Sequence, residues 1–176
     1  MRNFLLIMAA MLSFLGCSRE AGALSVGDAA PQITARDQNG AEVNLADVYA
    51  KGPTLIYFYP KSGTPGCTAQ ACSLRDAFPD FSSANVQVIG VSADSVEAQK
   101  KFAEEYKLPF TLLADTDLAV AKAFGVPTIP VLGVPRRQSF IVQDGKVAWI
   151  VESAKTGDHA AEIQAALASL GLGKKS

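Results

Sequence analysis

The sequence has few of the residues that bind metal ions or nucleic acids. It contains one His and three Cys in 176 residues, and a closed zinc site needs a full set of Cys and His ligands. Its 16 Lys and Arg against 17 Asp and Glu leave a net charge of −1, and the basic residues are dispersed along the chain. Because nucleic-acid binding depends on a basic surface, neither a zinc site nor a nucleic-acid partner is predicted.

Long hydrophobic runs are also absent, except near the N-terminus. Residues 4–15 are apolar apart from one serine; they follow Arg2 and end just before Gly16 and Cys17. Such a run is too short for a permanent membrane-spanning helix, and a basic residue followed by a short apolar run is typical of an export signal. We therefore predict that residues 1–16 are a signal peptide.

The end of this signal resembles that of bacterial lipoproteins, in which the cysteine after the cleavage site becomes the lipidated first residue. We predict that Cys17 is lipidated and that residues 17–27, which are mostly small or polar, form a short tether. The protein would then lie at the periplasmic face of a bacterial membrane, held only by its lipid anchor. The alternative is that Cys17 ends an ordinary secretory signal and the protein is soluble in the periplasm.

Residues 28–172 are enough for one domain with a sizeable core. Apolar segments in this range alternate between strand-like and helix-like patterns, which predicts an α/β fold with a central sheet between helices. The predicted strands lie in a hairpin over 32–45, at 54–59, 86–91 and 110–113, and in a second hairpin over 138–152. The predicted helices cover 68–81, 95–106, 117–124 and 158–170.

Cys67 follows a strand and a turn rich in Pro and Gly, at the point where the next helix begins. The unpaired backbone N–H groups of a helix start, together with the helix dipole, favour a thiolate over a thiol. Cys67 is therefore predicted to be a nucleophile.

Cys72 lies five residues after Cys67. On an ideal helix this spacing separates the two Cα atoms by about 8.7 Å, whereas a disulfide spans at most about 7 Å. If both cysteines lie on one helix, they can pair only after its first turns unwind, which predicts a reduced helical state and an oxidised, locally melted one. A structural disulfide, which is common in exported proteins, remains the alternative.

The stretch Phe58–Asp76 resembles the active-site region of the bacterioferritin comigratory protein, or PrxQ, class of peroxiredoxins. It contains the pattern Pro-x-x-x-Thr-x-x-Cys at Pro60, Thr64 and Cys67, with a second cysteine at the spacing of that class. A weaker resemblance extends over residues 26–170. The resemblance implies a thioredoxin-like fold with a central mixed sheet flanked by helices and an N-terminal β-hairpin extension.

The resemblance also implies a function. It implies a peroxidase that reduces hydrogen peroxide and organic hydroperoxides without a metal or organic cofactor and is reset by a thioredoxin-like reductant. This class is often monomeric, so a monomer is expected. Gln70 departs from the pattern, because many relatives carry an acidic residue there, and no chemistry is assigned to it.

The family pattern assigns a role to each matching residue. Cys67 would attack the peroxide, and Cys72 would condense with the resulting sulfenic acid to form an intramolecular disulfide. The Thr64 hydroxyl would donate to the peroxide or accept from a backbone N–H, with a helix cap as its alternative role. Pro60 would shape the turn and shield the thiolate.

A fixed positive charge beside the thiolate is also required. Arg137 is the predicted source, because Arg-x-Ser-Phe resembles the family pattern and neighbouring residues on a strand face opposite ways, which directs Arg136 elsewhere. An exposed arginine at a strand end is the alternative. His159, the lone histidine, is interpreted as a cap or surface residue.

Three other functions compete with the peroxidase. A thioredoxin-type protein-disulfide oxidoreductase would carry Cys-x-x-Cys, whereas four residues separate Cys67 from Cys72. A redox sensor, reacting with peroxide but turning over slowly, is compatible with the same residues. A copper carrier would need a histidine near the cysteines, and His159 is remote in sequence.

Overall fold

The structure, a computed structural model, describes residues 22–173. The predicted signal peptide and Cys17 lie outside the described residues. The strands are β1 Thr34–Asp37, β2 Glu42–Asn44, β3 Thr54–Phe58, β4 Gln87–Ser92, β5 Thr111–Ala114, β6 Thr128–Ile129, β7 Val134–Pro135, β8 Ser139–Gln143 and β9 Lys146–Val151. The helices are α1 Leu45–Tyr49, α2 Pro65–Asp76, α3 Phe78–Ser83, α4 Val96–Tyr106, α5 Ala119–Ala123 and α6 His159–Ser169.

A mixed seven-stranded sheet forms the centre of the domain, in the order β2-β1-β5-β4-β3-β8-β9. β3 pairs in parallel with β4, and β4 with β5, whereas the remaining neighbours are antiparallel. The predicted mixed sheet with an N-terminal hairpin, formed by β1 and β2, is confirmed.

The two faces of the sheet bury two separate apolar cores. All five residues of β3 are buried, and alternate side chains along a strand point to opposite faces. Leu55 and Tyr57 therefore pack with α2, α4 and α6 on one face, whereas Ile56 and Phe58 pack with α1 and α5 on the other. Because β3 is covered on both faces, its sequence is a continuous apolar run rather than an alternating one.

The turn of the first hairpin forms where Gln38, Asn39 and Gly40 predicted it. Asp37 Oδ1 accepts the backbone N–H groups of Asn39 at 2.8 Å and Ala41 at 2.9 Å. Gly40 has a φ of +79°, a left-handed conformation that favours glycine. The Gln38 side chain bridges to the backbone of Leu112 on β5, which fixes the hairpin on the sheet.

Three local features differ from the sequence prediction. The single helix predicted over 68–81 begins earlier, at Pro65, and is two helices separated at Ala77. The short helix α1, capped by the Asn44 side chain, and the two-residue strands β6 and β7 were not predicted. Elements of two to five residues carry too little periodicity to be recognised in a sequence.

The described part of the predicted tether contacts the domain. Leu24 packs against the core between α1, α5 and the sheet, and the Gly27 N–H donates to the Val147 carbonyl at 2.8 Å. Over residues 22–173, the helices are too short or too polar to cross a membrane.

Candidate active site

Cys67 lies in the first turn of α2, directly after the strand β3 and the turn that follows it. Thr64 is the N-cap residue, with extended backbone angles of φ −79° and ψ 148°, and Pro65 is the first helical residue. Proline suits that position because its φ is already helical and the N–H it lacks has no partner in a helix start. The Cys67 side chain is 2% exposed, so the thiol lies at the helix start in a site largely closed to water.

Arg137 brings a positive charge to the Cys67 thiol. Its Nη2 lies 3.4 Å from Cys67 Sγ, although the two residues are 70 positions apart in sequence. Arg136 is exposed, and its backbone N–H donates to the Pro127 carbonyl at 2.8 Å. Both arginines lie in the bend between β7 and β8 and not on a strand, and this bend directs Arg137, and not Arg136, to the thiol.

Gln70 completes this contact from the other side of the guanidinium. Its side chain is fully buried, its Oε1 accepts a hydrogen bond from Arg137 Nη1, and its Nε2 has no partner among the described residues. Sequence analysis missed Gln70 as a site residue, although its i,i+3 spacing from Cys67 places both side chains on one face of the helix. Because Gln70 is neutral, it orients Arg137 without adding a negative charge that would compete with the thiolate.

Thr64 and Pro60 lie on the turn before α2. The Thr64 hydroxyl donates to the Lys61 carbonyl at 3.0 Å and makes no side-chain cap bond. A hydroxyl has a single proton to donate, so in this arrangement Thr64 can accept a hydrogen bond from a peroxide O–H. Pro60 is half-buried and lies two residues after the end of β3 at Phe58.

Cys72 lies on the same helix as Cys67, and both thiols are free. Their five-residue spacing on one helix corresponds to a Cα separation of about 8.7 Å, beyond the reach of a disulfide. The structure therefore brings Cys67, Arg137 and Gln70 into direct contact and holds Cys72 apart from them.

The interpretation of His159 as a cap or surface residue is wrong. His159 is fully buried, with Nε2 3.1 Å from Ser139 Oγ and Nδ1 3.3 Å from Glu162 Oε2. The order Ser, His, acid is that of a hydrolytic triad, but Ser139 is itself fully buried and no substrate can reach its hydroxyl. The three groups instead join β8 to α6.

Burial lowers the pKa of His159 and the charge of Arg137 lowers it further, while Glu162 opposes both. The folded pKa thus lies below the unfolded value of about 6.5, so the unfolded chain binds the proton more tightly. Neutral His159 therefore contributes its full stabilisation at pH values above the unfolded pKa. This contribution is lost as the pH falls from the unfolded pKa toward the folded pKa.

We predict that His159→Gln removes this pH-dependent part of the stability. The measurement is urea unfolding of the parent and the variant at about pH 7 and about pH 5. It gives the change in the free energy of unfolding with pH for each protein. As the pH falls, the free energy of unfolding should decrease more steeply in the parent than in the variant. An identical slope in the two proteins would contradict the assignment to His159.

No cluster of three or more His, Cys, Asp or Glu side chains suited to a metal ion occurs within residues 22–173.

Comparison with known proteins identifies the family to which this site belongs. The family model described as the AhpC/TSA family matches residues 26–150. The chain belongs to the AhpC/TSA family. It is 42% identical over 144 residues to Peroxiredoxin Bcp of Escherichia coli K12, covering 77% of this chain and 90% of the relative. It is 43% identical over 144 residues to Peroxiredoxin Q, chloroplastic, of Oryza sativa subsp. japonica, covering 81% of this chain and 66% of the relative.

Solved structures of other proteins share the fold. Peroxidoxin BcpB from Mycobacterium tuberculosis matches with a TM-score of 0.77 and 32% identity, over 82% of this chain and 97% of that one. The Xanthomonas campestris bacterioferritin comigratory protein matches with a TM-score of 0.75 and 27% identity, over 83% and 99%. These matches confirm the predicted thioredoxin-like fold and support the resemblance to the PrxQ class.

Proposed function

We propose that this protein is a thiol-dependent peroxidase that reduces hydrogen peroxide and organic hydroperoxides through Cys67. The observation that carries the proposal is the contact between Cys67 Sγ and the Arg137 guanidinium at 3.4 Å, in the first turn of α2. The helix start and the guanidinium both place positive charge beside the Cys67 sulfur. The 2% exposure of Cys67 keeps these interactions strong, because little water competes with them.

The first step is attack of the Cys67 thiolate on one peroxide oxygen. The S–O bond forms as the O–O bond breaks, the sulfur is oxidised to a sulfenic acid, and the other oxygen leaves as water or an alcohol after taking up a proton. Arg137 can donate to the peroxide oxygens, and Thr64 can accept from the peroxide O–H, so the two side chains can hold the substrate together. Donors placed where charge develops are a large source of catalysis.

The second step is attack of the Cys72 thiol on the sulfur of the Cys67 sulfenic acid, which releases water and forms an intramolecular disulfide. Because both residues lie on α2, their thiols can meet only when the first turns of this helix unwind. We therefore propose that the enzyme alternates between a helical reduced state and an unwound oxidised state.

The packing of α2 makes this unwinding accessible. The buried side chains of its first two turns are Cys67, Gln70 and Ala71, and the first large apolar one is Leu74 near the helix end. Unwinding the first turns therefore exposes little apolar surface. It also releases Thr68 Oγ1 and Gln70 Nε2, which are buried without partners in the helical state, and such atoms each destabilise a fold by about 1–3 kcal/mol.

The disulfide is then reset by thiol exchange with a thioredoxin-like protein, and the enzyme acts as a monomer. Support for organic hydroperoxides comes from the Xanthomonas campestris relative, whose structure is described in connection with alkyl peroxide reduction. Because the chain covers 66% of the length of the plant relatives, substrates and reductant are proposed from the site and not transferred from those proteins.

Peroxide consumption by the purified protein, supplied with a thiol reductant, tests the proposed function. Many turnovers of hydrogen peroxide per protein molecule are expected. Absence of turnover, with both thiols shown to be reduced beforehand, would contradict it and would favour a redox sensor or a protein-disulfide oxidoreductase.

We also propose that the mature protein begins at a lipidated Cys17, is tethered by residues 17–27 to a domain over 28–172, and faces the periplasm. The support is the pattern of the first seventeen residues of the sequence. Cells fed radiolabelled palmitate should label the parent and not Cys17→Ser. Equal labelling of the two would contradict the lipid anchor.

A further inference from the structure

The Asp94 carboxylate reaches across to the turn that carries Pro60 and Thr64. Asp94 follows β4 in the chain, and its Oδ2 accepts the backbone N–H of Ser62 at 2.7 Å. The same oxygen accepts the Ser92 hydroxyl at 2.7 Å, and the Asp94 N–H donates to Ser92 Oγ at 3.3 Å. The Asp94 carboxylate is therefore fixed by Ser92 at the end of β4, and from there it binds the backbone of the turn at Ser62.

A buried hydrogen-bond chain fixes this carboxylate from the core. Gln99 Nε2 donates to Ser92 Oγ at 2.9 Å and to the Leu113 carbonyl at 2.9 Å. Tyr59, the residue before the turn, donates its hydroxyl to Gln99 Oε1. Ser92 and Gln99 are fully buried and Tyr59 is 1% exposed, so the chain joins β3, β4 and α4 rigidly behind Asp94.

The turn has few other attachments. Gly63 is exposed and has a φ of +72°, and the Thr64 hydroxyl bonds to Lys61 within the turn itself. Two of the hydrogen bonds described for residues 60–64 reach beyond the turn. One runs from the Thr68 N–H to the Thr64 carbonyl and begins α2. The other runs from the Ser62 N–H to Asp94. The bond to Asp94 is thus the tether between the turn and the sheet.

We propose that Asp94 is a positioning residue that, through the Ser62 N–H, holds the 60–64 turn so that Thr64 and Pro60 stay beside Cys67. This inference rests on the proposed peroxidase function. Asp94 does not touch the reacting atoms; it acts through the backbone of the turn. Small displacements of groups that hold a substrate can slow a reaction by about a hundredfold, so a loosened turn slows the attack even when Cys67 and Arg137 are unchanged.

The acceptor oxygen, and not the negative charge, is the part of Asp94 that the geometry uses. An asparagine at the same position has an amide oxygen that can accept both the Ser62 N–H and the Ser92 hydroxyl. Alanine offers no acceptor, and serine offers one too short to reach Ser62. Asp94→Asn should therefore keep the rate of peroxide reduction that Asp94→Ala and Asp94→Ser lose.

The test compares kcat/KM for hydrogen peroxide in these variants. Asp94→Ala and Asp94→Ser should lose about tenfold to a hundredfold, and Asp94→Asn should stay within about threefold of the parent. Glu105→Ala is the matched control, because Glu105 is an exposed acid lining the same surface cleft without a hydrogen bond to the turn; its kcat/KM should not change. Values within twofold of the parent for both Asp94→Ala and Asp94→Ser would overturn the proposal.

A second measurement is independent of peroxidase activity. Lys61 is exposed within the turn, and a turn released from Asp94 should present the Lys61–Ser62 bond more readily to trypsin. Native-state cleavage after Lys61 should be faster in Asp94→Ala and Asp94→Ser than in the parent, Asp94→Asn or Glu105→Ala. An unchanged cleavage rate overturns the tether, whereas faster cleavage in a protein without turnover supports the tether and refutes the peroxidase.

Discussion

Cys67→Ser is expected to lower the rate of peroxide reduction by at least about a thousandfold, because the reaction has no other step in which the protein attacks the O–O bond. Serine is close in size to cysteine and is not ionised at neutral pH, so the buried position keeps its packing and loses its nucleophile. Loss of peroxide, followed under excess thiol reductant, measures the effect.

Cys72→Ser is the matched control, since it makes the same atomic change five residues further along α2. This variant should still reduce the first equivalent of peroxide at the parent rate. It should then accumulate the sulfenic acid of Cys67 and pass to the sulfinic acid more readily than the parent, because no resolving thiol remains. A fast first turnover in Cys67→Ser, with none in Cys72→Ser, would reverse the assignment of the two cysteines.

Arg137→Gln should lower kcat/KM for hydrogen peroxide by about a hundredfold, the effect typical of removing one donor from a preorganised site. The variant loses both the positive charge 3.4 Å from Cys67 Sγ and a donor to the peroxide. It also leaves the buried Gln70 Oε1 without its hydrogen bond from Nη1. Stopped-flow reaction of the reduced protein with peroxide measures the attack separately from the later steps.

Two further substitutions separate charge from geometry. Arg136→Gln removes the same charge one position earlier, from an exposed side chain, and should leave the rate within about twofold of the parent. Arg137→Lys keeps the charge but loses the planar pair of donors that contacts Cys67 and Gln70 together, so its rate should lie between those of the parent and Arg137→Gln. A hundredfold loss in Arg136→Gln, with Arg137→Gln unaffected, would contradict the assignment.

The strands and the position of Cys67 at a helix start were predictable because their signals are local. β3 is a continuous apolar run since both of its faces are covered, and Cys67 follows it across a turn whose Pro and Gly residues mark a helix start. The choice of Arg137 over Arg136 rested on the family pattern and on strand alternation. The structure places both arginines in the bend between β7 and β8, where Arg137 contacts Cys67 although the two residues are 70 positions apart.

The side-chain partners behind the site were not predictable, because each is brought by another element. His159 is buried by a contact with Ser139, 20 positions earlier on β8, and a lone histidine near a helix start gives no sign of that. Asp94 meets Ser62 across 32 positions. Gln70 lies on the helix of Cys67, but its role depends on the guanidinium of Arg137, 67 positions away in the bend before β8. Such contacts follow from tertiary packing and not from periodicity.

The most direct test of the proposed cycle is the mass of one tryptic peptide. Cleavage after Lys61 and Arg75 gives the peptide Ser62–Arg75, which contains both Cys67 and Cys72 and no other cysteine. After the reduced protein reacts with one equivalent of hydrogen peroxide, and is alkylated and digested, this peptide should be unalkylated and lighter than its dithiol form by two hydrogen atoms. A peptide recovered with both thiols alkylated, or linked to a second copy of itself, would contradict an intramolecular disulfide between Cys67 and Cys72.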